Sequence, residues 1–350
     1  RLMAAPQKGG DAKYRWYVAA QNSLGWLQGA YTNYTDFAPV NSNWSPDHVQ
    51  RTSDGEWRRA WARNYALKPA KSVEFDEYYA QRIKAKFGVK MSYTDVHSAV
   101  GPWQYCDYDA RVPGAGTMAA TFYAYGQLLL NDQRVYGPTQ SEATYQWLYA
   151  GLESGSYGWV YTNLSLLTHP PDVAFKLMKL NPLEAGYGMG YTFYYLEQID
   201  KDWAKSPKKR EYVDLFLATS IAYGNMGWLV KEFGDSEFGV EAMARSYYMM
   251  QQLQQQYAFQ RPRLIEYAGP GGRMITPAEA HATGAINEAR LHVLWENGTQ
   301  VWVNRNPKTP WMVKDAAGQD VELPPNGWLV FNRANGFREF SASVAGRRID

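Results

Sequence analysis

The sequence predicts an α/β fold: a (β/α)8 TIM-type barrel, whole or incomplete in this chain, followed by a small antiparallel β-sandwich. Three observations predict it. Short aromatic or β-branched runs alternate with amphipathic helical stretches, the pattern of parallel βα units. Two of those runs end on a carboxylic acid, Asp95 and Glu142. From about Ala289 the texture changes to short strands with a hairpin signal at Asn297-Gly298.

The elements follow in order. Tyr14–Ala20 (YRWYVAA) reads as a buried strand that ends at the polar pair Gln21 and Asn22. Ser23 to about Ala70 reads as a long irregular loop carrying Trp26, Tyr31, Tyr34 and Trp44, and loops of that length are usually functional. Apolar positions from Val73 to Phe87 predict a helix, with Ser72 as N-cap and Gly88 as its stop. Val89–Asp95 is the next strand, and a Gly/Pro/aromatic loop follows to Pro113. Ala115–Leu130 is helical, and Val135–Ser141 is a strand ending at Glu142. Further on, Val173–Leu180, Arg210–Tyr223 and Phe238–Phe259 read as helices. Leu291–Trp295, Gln300–Asn304, Trp311–Lys314, Trp328–Asn332 and Phe337–Val344 read as strands.

This divides the chain into a catalytic barrel over 1–261, a Gly/Pro-rich connection over 262–284 and the sandwich over 285–350. Fewer than eight βα units are readable, and a barrel of this kind takes roughly 250 residues. Two explanations stand. The first barrel strands come from an N-terminal part or a companion chain, or strands between Tyr145 and Gly227 escape the pattern.

Composition narrows the function. Basic and acidic residues nearly balance, 36 against 34, which gives no electrostatic case for nucleic acid or an anionic membrane. No run of eighteen apolar residues exists, so no membrane-spanning helix is expected. The single cysteine, Cys106, excludes an internal disulfide and a zinc site of several thiolates. The chain opens at Arg1 without a signal-like stretch, as expected after removal of a leader or within a longer protein. The 27 Tyr and 14 Trp outnumber the 13 Phe, and rings with a polar handle suit amphipathic ligands such as sugars.

Asp95 and Glu142 carry the chemistry. One Asp at the end of a strand can simply cap the next turn. Two carboxylic acids at successive strand ends, each followed by an aromatic loop, match the mouth of a barrel enzyme. Cleaving a glycosidic bond needs such a pair. One stabilises or attacks the oxocarbenium-like centre while the other protonates the leaving oxygen. Tyr145, Trp147 and Tyr149 would supply an apolar setting for the acid.

Tyr93-Thr94-Asp95, a helix, then Ser141-Glu142 and Tyr145-Gln146-Trp147-Leu148-Tyr149-Ala150-Gly151 resembles the catalytic half of the α-N-acetylgalactosaminidase and endo-α-N-acetylgalactosaminidase families. The likeness covers about Tyr14–Gly158. It implies an α-amylase-like barrel flanked by β-sandwiches, and a retaining mechanism on an α-linked glycoside or polysaccharide. Asp95 would be the nucleophile after the fourth barrel strand, and Glu142 the acid/base after the fifth. No cofactor or metal is implied, and export to the periplasm or beyond would follow from such a substrate.

Other residues are expected around the pair. His97 is a candidate hydroxyl binder or a structural histidine. Asp107, Asp109 and Arg111 form either a subsite clamp or a loop-internal ion pair. Trp103 and Tyr105 are stacking candidates, Tyr93 lies beside Asp95, and Gln21 and Asn22 are candidate hydroxyl binders. Gly186-Tyr187-Gly188-Met189-Gly190 lacks the frame of a phosphate loop, and no H-x-x-x-H metal pair occurs. A non-catalytic carbohydrate-binding barrel and a polysaccharide lyase using Tyr and His are the rival readings.

Overall fold

The computed structural model describes residues 2–142, 145–157, 205–225 and 237–350. The chain divides into two compact units, Arg1–Ser156 and Tyr157–Asp350.

The first unit opens with helix α1 (Gly10–Ser23), where a strand was expected over Tyr14–Ala20. Burial explains the difference. Val18 is buried, and Tyr14, one helical turn before it, packs edge-on against Phe87 at 4.9 Å. Trp16 and Tyr17 are left exposed. The run is rich in β-formers, but its contacts repeat every four residues, so packing overrides propensity.

Strand β1 (Gly29–Thr32) lies inside the stretch read as loop. The short β2 (Asp36–Phe37) then pairs with β3 (Tyr65–Ala66). Helix α2 (Pro69–Phe87) starts on a proline at its first turn, three residues before the expected cap, and ends at Gly88 with φ 72°. Ser72 is therefore inside the helix, where its hydroxyl donates to the Tyr34 carbonyl at 2.8 Å. Strand β4 (Met91–Thr94) follows. Helix α3 (Met118–Tyr136) is capped by Thr117, whose Oγ1 accepts from the Ala120 amide, and leads to β5 (Thr139–Glu142). Strand β6 (Gly155–Tyr157) completes a sheet ordered β1-β4-β5-β6, in which β1, β4 and β5 run parallel. That is the layout of βα-barrel units, with four strands rather than eight among the described residues.

Register sorts the side chains. Ala30, Ser92 and Thr139 pair across the sheet, as do Tyr31, Tyr93 and Gln140, and then Thr32, Thr94 and Ser141. The Thr94 hydroxyl donates to Asp132 on α3, so its row faces the helices. The Tyr31–Tyr93–Gln140 row faces the other side, as does the rung holding Asp95 and Glu142.

The second unit contains helices α4 (Lys209–Ala222) and α5 (Glu237–Met250) and a nine-stranded antiparallel sheet. Phe216, Leu217 and Ile221 of α4 belong to a core with Trp295, Val301, Val303 and Trp328. Residues 262–284, expected as a connection, instead carry two strands, Pro262–Ala268 and Met274–Ile275, and a short helix. The first strand pairs with Arg290–Trp295 in this sheet. The strands join in one continuous hydrogen-bonded order. The strand Gly327–Asn332 is buried along its whole length, with Trp328 and Val330 in the core beside α4 and Leu329 and Phe331 in a second cluster. The expected helix Val173–Leu180 and the glycine-rich run at 186–190 lie outside the described residues.

Candidate active site

The site grows from the carboxyl ends of three parallel strands. Thr94 pairs with Thr32 on one side and Ser141 on the other, so the next rung holds Asn33, Asp95 and Glu142 side by side. Adjacent strands lie about 4.8 Å apart, which brings both acids to one end of the sheet.

Asp95 is held by three donors. Tyr31 Oη donates to its Oδ2 at 2.6 Å, Asn33 Nδ2 donates to the same oxygen at 3.2 Å, and Tyr93 Oη donates to Oδ1 at 3.0 Å. Two phenols on different strands thus grip the two oxygens of one carboxylate, their rings stacked at 5.8 Å. Desolvation of the hydroxyl, and then its bond to Asp95, push the Tyr31 phenol above its ordinary value, so it remains a donor at physiological pH. Asn33 fixes itself with its other end: its Oδ1 accepts from the amides of Thr35 and Asp36. It also donates to Asp36 at 3.0 Å and so bridges two carboxyl groups. Burial first, with Asp95 a smaller contributor, raises the Asp36 carboxyl above the usual range. A pocket of about 280 Å³ opens beside Asn33 and Asp36, lined in part by Tyr31, Asn41, Asn43 and Tyr79; neither Asp95 nor Glu142 is in its wall.

The chain turns sharply after Asp95. Val96 has φ 71°, and the His97 amide donates to the Asp95 carbonyl at 3.0 Å, which closes a γ-turn on a β-branched residue. Backbone strain of this kind concentrates at functional sites. The turn sends His97 inwards. Its Nδ1 donates to the Asp95 carbonyl at 2.8 Å, and its ring lies edge-on to Tyr125 and Tyr34. Complete burial lowers its pKa to about 4, leaving it neutral. His97 is therefore a prop for the turn and not a hydroxyl binder at the surface.

Ser98, one residue on, ties the two strand ends together. Its hydroxyl donates to the Glu142 carbonyl at 2.6 Å, its amide to Ser141 Oγ at 3.3 Å, and Ser141 Oγ to the Thr94 carbonyl at 2.6 Å. Its own carbonyl accepts from the Tyr145 amide at 2.7 Å. Glu142 itself is buried, with 8% of its surface exposed.

Of the aromatic candidates, Trp103 and Trp147 are about half exposed, and Trp103 meets Tyr145 edge-on at 5.1 Å. Tyr105 is half-buried beneath the Arg58 guanidinium. Tyr34 and Trp44 belong to a core cluster with Phe37 and Leu67. The acidic loop resolves as structure. Asp107 Oδ1 accepts from the amides of Arg51 and Asp109, and Asp109 pairs with Arg111 at 2.7 Å and with the buried Lys68 at 2.5 Å. Arg111, then Lys68, hold the Asp109 carboxyl far below the usual range. Arg111 also reaches Asp47, so the group is an ion-pair network and not a clamp waiting for substrate. Gln21 and Asn22 sit in the last turn of α1, and Asn22 donates to the Gly88 carbonyl just before β4. That is the opposite end of β4 from Asp95, because Gly88 precedes the strand and Asp95 follows it.

Asn33 and Asp36 escape a reading of the sequence, although a signal is present. Ala30-Tyr31-Thr32-Asn33 repeats the pattern of Ser92-Tyr93-Thr94-Asp95 and pairs with it in register. Among the described residues, no cluster of His, Cys, Asp and Glu could hold a metal ion.

No protein-family model and no curated protein sequence matches the chain. Solved structures do. The α-N-acetylgalactosaminidase NagBb from Bifidobacterium bifidum, in its GalNAc complex, is similar over 87% of this chain and 45% of its own, with TM-score 0.56 and 14% identity. The type III pullulan hydrolase from Thermococcus kodakarensis is similar over 92% and 63%, with TM-score 0.56 and 11% identity. The α-amylase from Geobacillus thermoleovorans is similar over 97% and 80%, with TM-score 0.54 and 9% identity. The chain spans less than half the length of the Bifidobacterium enzyme. At these identities the likeness is one of fold alone, the mixed α/β scaffold that the three structures have in common with this chain.

Proposed function

We propose that the chain is the catalytic part of an α-glycoside hydrolase that cleaves with retention, Asp95 acting as nucleophile and Glu142 as acid/base. One observation carries this reading. Two carboxylic acids each follow a paired residue, Thr94 and Ser141, at the carboxyl ends of adjacent parallel strands, with exposed Trp103 and Trp147 on the loops that follow them. Glu142 would protonate the leaving oxygen as Asp95 attacks the anomeric carbon. It would then take a proton from the water that displaces the glycosyl ester. Tyr31, Tyr93 and Asn33 orient the attacking carboxylate throughout. A lyase built on Tyr and His finds less support, because His97 is sealed inside the fold.

The outer edge of β1 has no strand neighbour among the described residues. The same proposal therefore includes further strands, from a preceding segment or companion chain, that complete the barrel. It also includes an exported enzyme acting on oligosaccharide or polysaccharide.

The test is a screen of aryl α-glycosides of N-acetylgalactosamine, galactose and glucose, with proton NMR of the first-formed anomer. Retention with loss of turnover in Asp95→Asn is the expected result. Glu142→Gln should lose far less on a dinitrophenyl leaving group, which departs without protonation. Inversion, or full activity in Asp95→Asn, would overturn the assignment.

A further inference from the structure

Behind the catalytic face, two acids are buried against each other with no solvent contact. Asp76 of α2 is 0% exposed and Asp132 of α3 is 1% exposed. Each carboxyl acts on the proton affinity of the other. Asn131 Nδ2 donates to Asp76 Oδ2 at 2.6 Å, whereas the buried Asp76 Oδ1 finds no donor. Asp132 accepts from the hydroxyl of Thr94. Two ionised carboxylates cannot bond one another, and a buried oxygen without a donor is expensive. A proton between them satisfies both.

We propose that Asp76 and Asp132 share one proton and serve as a positioning pair for the catalytic strand, fixing Asp95 through the Asp132–Thr94 bond. This rests on the hydrolase reading only for its effect on turnover. Thr94 is the residue before Asp95, and its carbonyl accepts from Ser141, which is joined through Ser98 to the backbone of Glu142. A single anchor on α3 thus sets the height of both acids above the sheet. The pair binds its proton well above the usual carboxylate range, chiefly through burial. The titratable groups facing the pair are Glu77 on α2, Tyr136 on α3 and Tyr34 after β1, all of them acids.

The sign follows. Unfolded carboxyls release their protons near pH 4, while the folded pair keeps one. Stability therefore falls as pH rises, up to about pH 9 where the folded proton is lost. Asp132→Asn replaces the shared proton with a permanent amide donor and keeps an acceptor for Thr94. Melting temperatures of the 350-residue chain and this variant, compared from about pH 7 to about pH 9, should diverge, with wild type falling and the variant flat. Parallel curves would overturn the shared proton, and this arm needs no substrate.

The positioning arm uses Thr94→Val, which cuts the link at nearly constant shape, and Thr94→Ser, which restores it. Thr94→Val should lower kcat at least about tenfold with KM within about threefold, and Thr94→Ser should recover it. Unchanged kcat in a folded Thr94→Val would overturn positioning. So would a crystal structure of Thr94→Val in which Asp95 keeps all three of its bonds, even if no substrate is turned over.

Discussion

Replacing Tyr31 by Phe should slow turnover about tenfold while leaving the fold and KM close to wild type. The magnitude comes from one bond and its surroundings. Tyr31 donates to Asp95 Oδ2 at 2.6 Å, and a hydrogen bond to a charged group is worth about 1.5–3 kcal/mol. Tyr31 is 66% exposed, so water takes over part of that role. A loss of about 1.4 kcal/mol, a factor of ten, is the expected remainder. The ring survives in Phe, still stacked on Tyr93 at 5.8 Å, so any sugar contact it makes survives with it. Tyr31→Ala removes ring and hydroxyl together and should raise KM as well. The assay is kcat and KM on an activated aryl α-glycoside beside thermal melts of each variant. An unchanged kcat in Tyr31→Phe, or a fall fully matched by lost stability, would refute the claim that this phenol acts on the nucleophile.

Two further outcomes need no substrate. Asp109→Asn strands the buried Lys68 and should cost about 3 kcal/mol of stability, read as a lower melting temperature. Because Asp109 is held below the ordinary carboxylate range, wild type should lose this contribution only as pH drops below about 4. If Asp109→Asn instead raises KM without loss of stability, the loop binds ligand after all. His97 has a folded pKa of about 4 against an ordinary value near 6.5, so the unfolded chain takes up the proton first. Stability should fall as pH drops between those values, by about 3 kcal/mol in all. Melts of His97→Gln, which does not titrate, should lose that limb, and an unaltered limb would show that His97 is not its source.

The legible parts of this molecule are those whose local pattern agrees with their packing. Val89–Asp95 and Val135–Ser141 read as strands, and Met91–Thr94 and Thr139–Glu142 fall at their carboxyl ends and pair in the sheet. Val135 and Tyr136, two β-formers of the second run, lie instead in α3. Gln300–Asn304 and the turn at Asn297-Gly298 were legible because pattern and packing agree. Tyr14–Ala20 misled because helix and strand compete in a short aromatic run, and the deciding contact, Tyr14 on Phe87, comes from 73 residues away (87 − 14). Gly29–Thr32 has only four residues, and the one mark it carries is its likeness to Ser92-Tyr93-Thr94, about sixty residues away, rather than anything in its own neighbourhood. The acidic loop was ambiguous because its partner, Lys68, lies outside it in sequence. Charge alone could not separate an ion pair from a binding clamp.

The Ser98 link bears on how this scaffold can be modified. Residues 95–98 form one hydrogen-bonded unit with Ser141, Glu142 and Tyr145, so neither loop root can be exchanged alone without leaving buried polar groups unsatisfied. The loop beyond Ser98 meets the second root through the ring contact of Trp103 with Tyr145. Variants with new ligand preferences should therefore be sought by recombining segments distal to these roots. Grafts that cut between Val96 and Ser98 should fold poorly whatever they carry.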